Sequence, residues 1–194
     1  MWVGVLFGYP HCPQTPIGGS LGLILIAFEF LIQGSLLLIF PKDVVSRLFS
    51  RSGWSVKQRV FMIIGKAFSL ACLILIILTP LEINLNAFIV ALILYATGLA
   101  GLVAAMLNFK NTPLGQPVTK GVYKISRHPQ IVALFVIFLG ICGAIGSWAA
   151  LFTLIISKLF QHLGILAEEE VCLRRYGESY QTYMERVPRY FVFF

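Results

Sequence analysis

Long apolar runs separated by short polar segments dominate this chain. A bilayer core about 30 Å thick needs roughly 20 apolar residues in a helix. Three runs reach that length: Ile17 to Phe40, Val60 to Thr79 and Ile83 to Leu107. Pro41 and Pro80 follow the first two runs, and proline ends a helix. We therefore predict three membrane-spanning helices within residues 1–107.

A fourth apolar run, Ile131 to Leu166, is too long for one span and short for two. Its middle holds a cluster of helix-weakening residues: Gly140, Gly143, Gly146 and Ser147. Glycine costs about 1 kcal/mol in a helix interior relative to alanine, so the cluster favours a turn. We predict a hairpin of two short helices, Ile131 to Ile145 and Trp148 to Leu166. The first would be only about 22 Å long, so it would tilt in a thinned bilayer or not span completely.

Basic residues in the polar segments indicate the orientation of these helices. Lys and Arg are frequent after the first run, after the third run and in the tail, and absent after the second run. Basic segments stay cytoplasmic, which places the N-terminus outside and the tail inside. That orientation needs an odd number of spans, and five fits. We predict an all-α, polytopic membrane protein with about five transmembrane helices and a cytoplasmic C-terminal helical tail.

Composition agrees with a lipid-solvated chain. The 194 residues are 58% hydrophobic and 12% charged, whereas a soluble domain carries about 25% charged residues. The net charge of +7 comes from short clusters between apolar runs, which indicates membrane topology and not nucleic-acid binding.

Other isolated residues carry weaker signals. The cysteines lack a CxxC spacing and are predicted to be packed thiols; they are Cys12, Cys72, Cys142 and Cys172. The histidines lack metal-ligand spacing, so no metal site is predicted; they are His11, His128 and His162. Glu29 and Lys66 each stand alone in an apolar run, and an interhelical pair between them is one structural explanation.

Polar groups become frequent after Asn108, so residues 108–194 are the predicted functional region. The segment from Gly121 to Gln130 lies directly before the hairpin. Pro129 suits a first helical turn, where free amides and partial positive charge favour an anion. An interfacial anchor is the other reading of its Tyr, Arg and Lys residues.

Three adjacent carboxylates, Glu168, Glu169 and Glu170, follow the last apolar run. A carboxylate at a membrane boundary can bind a ligand ammonium through a charge-assisted hydrogen bond. Residues at spacings of three and four then predict one helical face, which is more often packing than a cofactor site; they are Leu173, Tyr176, Tyr180 and Tyr183. No GxGxxG fingerprint is present.

Together these segments resemble the isoprenylcysteine carboxyl methyltransferase family and the related phospholipid methyltransferases. The family pattern reads G-x-Y, R-H-P-x-Y, E-E, F/Y-G-x-x-Y-x-x-Y and V-P. The matching pieces, within Asn108 to Tyr190, are Gly121-Val122-Tyr123, Arg127-His128-Pro129, Glu168-Glu169, Tyr176-Gly177, Tyr180, Tyr183 and Val187-Pro188-Arg189.

The resemblance implies an S-adenosylmethionine site at the cytoplasmic face, closed by the tail, with S-adenosylhomocysteine as product. The cofactor-binding residues that it implies are Asn108, Gln116, Pro117, Val118, Tyr123, His128, Pro129, Gln130, Ile131 and Glu168. The catalytic residues that it implies are Arg127, His128, Glu168 and Glu169. The partners would be a lipophilic methyl acceptor from the bilayer and membrane lipid, with no metal and no nucleic acid.

Two positions depart from the family pattern. Ile131 replaces the tyrosine of R-H-P-x-Y, and Gly164 stands where an arginine would hold an acceptor carboxylate. The favoured hypothesis is methyl transfer to the carboxylate of a prenylcysteine-like acceptor. Transfer to the nitrogen of a phospholipid or other small lipid, an NADPH-dependent membrane reductase, and a non-enzymatic membrane scaffold remain open. The sequence also leaves open whether Glu168 or Glu169 is the principal cofactor ligand.

Overall fold

The computed structural model describes residues 17–50, 53–80 and 85–191. In these residues seven α-helices and one 3₁₀ turn form, and no strand does, which confirms the all-α prediction. The helices are α1 (Ile17–Leu38), α2 (Lys42–Phe49), α3 (Val56–Leu78), α4 (Leu85–Lys110), α5 (Pro129–Ile145), α6 (Trp148–Tyr176) and α7 (Glu178–Arg186), with the 3₁₀ turn at Gly121–Lys124 between α4 and α5.

Four of the described helices, α1, α3, α4 and α6, are long and apolar enough to cross a membrane, and α5 is a shorter apolar helix of 17 residues. Helix α3 begins four residues before the predicted Val60. The reason is a capping box: Ser55 Oγ accepts from Gln58 N at 3.3 Å, and Gln58 Oε1 accepts from Ser55 N at 2.8 Å. The predicted start of the third span, Ile83, lies outside the described residues.

The hairpin of α5 and α6 is present, and Gly146 makes its turn. Gly146 adopts φ +77°, a left-handed conformation that glycine reaches without strain, and its amide donates to Cys142 O at 2.9 Å. The predicted end of the second helix at Leu166 is wrong, because α6 continues to Tyr176. An exposed ion pair one turn apart, Arg174 with Glu170, supports this extension.

Close backbone approach holds the bundle together. Helices α4 and α5 meet at glycines: a Cβ on Gly140 would lie 2.7 Å from Ala91 O, so only glycine fits there. Helices α3 and α6 are joined by hydroxyl groups, with Ser69 Oγ and Ser157 Oγ 2.7 Å apart. Ser157 Oγ also lies 2.9 Å from Gly65 O, to which it donates.

Contacts at the two ends of the bundle give the helix directions. Thr79 Oγ1 lies 2.7 Å from Ser147 Oγ, so the end of α3 meets the start of α6. At the opposite end α2, the 3₁₀ turn and α7 come together, and we call this the polar end (residues 42–50, 53–56, 108–130 and 167–190). That the polar end is cytoplasmic stays a prediction from the basic segments.

Two isolated signals from the sequence have different outcomes. Glu29 and Lys66 form no pair among the described residues, because Glu29 is buried in the core whereas α3 turns Lys66 outward. Cys72 and Cys142 are buried and Cys172 is half-buried, and all three are free thiols, as predicted. Cys12 lies outside the described residues.

Candidate functional site

A cavity of about 200 Å³ lies at the polar end of the bundle. The segment before α5 contributes Arg127 and His128, the start of α5 contributes Gln130, and α6 contributes Glu168 and Arg175. The cavity is therefore built by parts of the chain that are distant in sequence, and the hairpin brings them together.

The C-terminal tail holds the segment that precedes α5. Ser126 is fully buried, and its hydroxyl accepts from His128 N at 3.2 Å and donates to Arg189 O at 3.0 Å. The Arg127 amide donates to Pro188 O at 2.9 Å. These backbone contacts fix the direction in which the Arg127 and His128 side chains leave the chain.

Glu169 is the hub of a buried ion cluster. Its carboxylate accepts from Arg189 Nη2 at 2.7 Å and from Arg189 Nε at 3.1 Å, and it lies 3.1 Å from His128 Nε2. Arg127 Nε lies 3.4 Å from the same carboxylate. These hydrogen bonds from Arg189 to Glu169 raise the pKa of Arg189. Glu169 is only 3% exposed and does not line the cavity, so it orients the residues that do.

Two side chains of the cavity wall keep buried donors without partners. Arg127 is 8% exposed, and neither its Nε nor its Nη1 has a hydrogen-bond partner, although Nε is close to Glu169. Gln130 Nε2 is likewise buried and unpaired. Most buried polar groups in proteins are hydrogen-bonded. These donors therefore mark a place where a ligand acceptor, above all an anion, would complete the site.

Glu168 differs from its neighbour Glu169. It is exposed, it lines the cavity, and within the described residues it forms neither an ion pair nor a hydrogen bond. One residue along a helix is a rotation of about 100°, which turns one carboxylate to the cavity and the other to the ion cluster. Glu168 is therefore the carboxylate that is available to a ligand.

Tyrosines form another wall of the cavity. Tyr183 donates from its hydroxyl to Tyr123 O at 2.7 Å, and the Tyr180 and Tyr183 ring centroids are 5.7 Å apart. Burial raises the pKa values of Tyr123, Tyr180 and Tyr183, so all three are neutral at pH 7. The single helical face predicted from the spacing is wrong, because the helix breaks at Gly177 with φ +55°. The tyrosines nevertheless cluster across the break.

The structure places seven of the ten predicted cofactor residues on the cavity wall: Pro117, Val118, Tyr123, His128, Gln130, Ile131 and Glu168. The other three lie beside it. Asn108 packs its amide against Gly121, whose φ of +62° and lack of a Cβ allow the contact. Gln116 presents its carbonyl to Arg47, and Pro129 is the first residue of α5. Cofactor binding by any of the ten stays a prediction.

Several wall residues have no counterpart in the sequence predictions. Arg47, Trp54 and Arg175 line the cavity. Arg47 and Arg175 lie in basic segments, but basic charge in these segments indicates membrane topology and does not mark a site. The space beside Gly164 is filled, because a Cβ there would lie 2.5 Å from Met62 Cε and 3.4 Å from the Trp54 ring.

A second cavity, of about 230 Å³, lies on the other side of the same segment and is almost wholly apolar. Val122, Ile125 and Pro129 line it, whereas their neighbours Tyr123, His128 and Gln130 line the first cavity. The stretch from the 3₁₀ turn to the first turn of α5 (residues 122–130) therefore separates a polar cavity from an apolar one. Within the described residues, no group of three or more His, Cys, Asp or Glu side chains is placed to hold a metal ion.

Fold and site together define a helical protein of the membrane with a cavity lined by charged side chains at one end of its bundle. Residues 62–179 match the family described as phospholipid methyltransferase, and the chain belongs to that family. It is also 36% identical over 73 residues to the protein-S-isoprenylcysteine O-methyltransferase of Schizosaccharomyces pombe. That match covers 37% of this chain and 30% of the yeast protein. No solved structure matches the chain. The family resemblance drawn from the motifs is thereby confirmed.

Proposed function

We propose that this protein transfers a methyl group from S-adenosylmethionine to the carboxylate of a lipidated, prenylcysteine-like acceptor presented from the membrane. One observation carries the proposal: the cavity holds a free carboxylate, Glu168, together with the unpaired donors of Arg127 and Gln130. A carboxylate and a set of cationic or amide donors are complementary to the ammonium and carboxylate of an amino-acid group.

The rest of the cavity suits the remaining parts of this cofactor. Aromatic and aliphatic side chains, among them Tyr123, Val118 and Ile131, offer apolar walls for an adenine ring. The cavity volume of about 200 Å³ is small for a nucleoside ligand, since pockets for drug-sized ligands measure roughly 300–1,000 Å³. Part of the ligand would therefore lie outside the enclosed space, between the cavity and the tail.

The cofactor, when bound, supplies an electrophilic methyl group on a sulfonium sulfur and becomes S-adenosylhomocysteine. An acceptor carboxylate is already ionised at pH 7, so an oxygen can form the new bond to carbon while the carbon–sulfur electron pair stays on sulfur. No proton moves and no general base is needed. The work of the protein is alignment and exclusion of water, and alignment alone can contribute roughly 7–11 kcal/mol.

The acceptor assignment rests on the apolar cavity and on charge. The second cavity offers a hydrocarbon surface next to the Arg127–Gln130 segment. Arg175 lies 11 residues after Gly164, which puts it on the same face of α6 and roughly 16 Å further along the helix, beside the cavity. Arg175 lines the cavity without an ion pair or hydrogen bond in the described part of the chain. We assign it the anion-binding role for which Gly164 offers no side chain.

Methyl transfer to the nitrogen of a phospholipid is the second candidate, because the matched family is described by that substrate class. An amine acceptor must lose a proton, and His128 or a glutamate would be the base. His128 Nε2 is already 3.1 Å from the Glu169 carboxylate.

A reductase would need a site for the extra phosphate of NADPH, and a scaffold would bind no nucleotide.

Cofactor binding is tested first, with the purified protein in detergent. Calorimetry would compare wild type with Glu168→Ala and with Glu170→Ala, whose carboxylate pairs with Arg174 and lies away from the cavity. We expect S-adenosylmethionine to bind wild type and Glu170→Ala, and to bind Glu168→Ala at least about tenfold more weakly. No binding by folded wild type contradicts a methyltransferase role.

The acceptor is tested next, by turnover with farnesyl-cysteine analogues and with phosphatidylethanolamine. We expect methyl esters from the first and no methylated amine from the second. Arg175→Ala should raise the KM for the carboxylate acceptor, whereas Arg174→Ala, next to it on α6, should not. The opposite substrate preference moves the assignment to N-methyl transfer.

A further inference from the structure

Helix α2 lies before the matched region, 62–179, and yet reaches the cavity. Val44 is buried and belongs to the main apolar core of the bundle. On the next turn Arg47 and Leu48 line the cavity. Residues three and four apart share one face of a helix, so the face of α2 that packs on the bundle through Val44 also borders the cavity.

Arg47 reaches from α2 to the strip that joins α4 to the 3₁₀ turn (residues 111–120, called the strip). Its Nη1 donates to Thr112 O at 3.4 Å and to Pro113 O at 3.3 Å, and its Nη2 donates to Gln116 O at 2.6 Å. The guanidinium carbon also lies 4.9 Å from the centre of the Phe109 ring, a cation–π distance. One side chain thus ties together both ends of a five-residue turn.

The start of the strip is also tied to the end of α4, by Asn111 N to Leu107 O at 3.0 Å and by Thr112 Oγ1 to Asn108 O at 2.9 Å, and the described residues after it have fewer ties. The strip contains two prolines, Pro113 and Pro117, which lack an amide donor, and Gly115 adopts φ +88°. Its internal backbone hydrogen bond, from Gln116 N to Pro113 O, is long at 3.4 Å. Among the described residues, Arg47 provides the side-chain donors to the carbonyls of residues 112–116. Directly after this turn, Pro117 and Val118 form cavity wall.

We propose that Arg47 is a positioning residue: it sets the conformation of the strip so that Pro117 and Val118 stand at the ligand site. The identity of the ligand in this inference rests on the proposed function. The positioning role of Arg47 rests on the geometry of its hydrogen bonds to the strip. A guanidinium suits the role because it is planar and carries five donors in a fixed fork. A lysine ammonium is a compact point donor and cannot serve three carbonyls spread over five residues.

The test measures binding of S-adenosylhomocysteine to full-length protein in detergent, for wild type, Arg47→Gln, Arg47→Lys and Lys42→Ala. The last variant removes an exposed charge from the same helix without touching the strip. We expect Arg47→Gln to weaken binding by about tenfold, because that factor corresponds to the loss of about one charge-assisted hydrogen bond. Arg47→Lys should rescue only part of that loss, and Lys42→Ala should stay within about twofold of wild type.

Hydrogen exchange supplies a readout that general destabilisation would not give. In Arg47→Gln the amides of the strip should exchange faster, while those of α4 and α5 keep wild-type protection. In turnover, the cofactor KM should rise and kcat at saturating cofactor should stay near that of wild type. If Arg47→Gln is poorly folded, Arg47→Lys carries the same comparison.

Equal affinity of wild type and both Arg47 variants overturns the inference, and so does faster exchange spread evenly over the bundle. Failure of the proposed function looks different: folded wild type itself then binds no S-adenosylhomocysteine. In that case the exchange experiment still tests whether Arg47 holds the strip.

Discussion

The membrane-crossing bundle and the polar end differ in whether their buried polar groups are hydrogen-bonded. In the bundle Ser69, Ser157 and Gly65 satisfy one another across α3 and α6. At the polar end Arg127 and Gln130 keep buried nitrogen atoms without hydrogen-bond partners, although Arg127 Nε lies 3.4 Å from the Glu169 carboxylate. Because an unmade buried hydrogen bond costs free energy, the first arrangement serves stability, whereas the second leaves donors free for the ligand that we propose.

Removal of the Glu169 side chain should have the largest effect of all on stability and on ligand binding. Glu169→Ala leaves Arg127, Arg189 and His128 facing one another without their shared carboxylate. Loss of one partner of a buried ion cluster costs about 3–5 kcal/mol. We expect the free energy of unfolding in detergent to fall by that amount and ligand binding to disappear. The control, Glu170→Ala, breaks an exposed pair and should change stability by less than about 1 kcal/mol; equal effects of the two variants would refute the hub.

Disruption of a helix contact in the bundle should have the second-largest effect, and that effect should fall on stability and not on ligand affinity. In Gly140→Ala the new Cβ would lie 2.7 Å from Ala91 O and from Tyr95 N, which are backbone atoms that cannot move alone. Overpacking of this kind costs about 1–3 kcal/mol. Ligand affinity of the folded fraction should not change.

The matched control for that variant is Gly34→Ala, because no atom lies within 4 Å of a Cβ built there. Alanine should stabilise that open helical position by up to about 1 kcal/mol. Thermal unfolding of the two variants in the same detergent measures the difference. If the two variants changed the unfolding temperature equally, helix packing at Gly140 would be looser than the structure has it.

Tyr183→Phe should have a smaller effect that appears mainly at the ligand site. It removes the hydroxyl that donates to Tyr123 O, a bond worth about 1 kcal/mol. We expect weaker ligand binding, since Tyr123 lines the cavity. Tyr176→Phe, which loses no described hydrogen bond, serves as control, and binding is measured by calorimetry. A Tyr183→Phe variant with wild-type affinity would show that the ligand does not need the Tyr123 wall.

Glu29 is the exception within the bundle and gives the smallest expected effect. It is 1% exposed, and its Oε2 has no hydrogen-bond partner in the described residues. Replacement of an unsatisfied buried polar group by an apolar one is near neutral or stabilising. Glu29→Leu should keep or slightly raise the unfolding temperature and leave ligand affinity unchanged. A loss of stability would reveal a partner for this carboxylate.

The bundle could be predicted from the sequence because a membrane span needs only length and apolar character. Helix α2 could not, since its eight residues are too few to show a helical period. The end of α6 was misplaced because Glu168, Glu169 and Glu170 end the apolar run but not the helix.

Much of the cavity wall could be predicted from residue type, whereas the arrangement of its side chains could not. Three adjacent glutamates are equivalent in the sequence, and only the rotation of α6 separates Glu168, which lines the cavity, from the buried Glu169. Arg47 escaped prediction for another reason. Its partners are carbonyl groups 65 to 69 residues away, and backbone acceptors leave no trace in side-chain motifs.

The most direct test compares two ligands, S-adenosylhomocysteine and methylthioadenosine, which share the nucleoside but differ in the amino-acid group. The account predicts that wild type prefers S-adenosylhomocysteine by about tenfold or more, because Glu168, Arg127 and Gln130 bind that group. In Glu168→Gln the preference should shrink sharply, while affinity for methylthioadenosine is retained. Equal preference in wild type and Glu168→Gln would contradict the claim that this carboxylate recognises the cofactor.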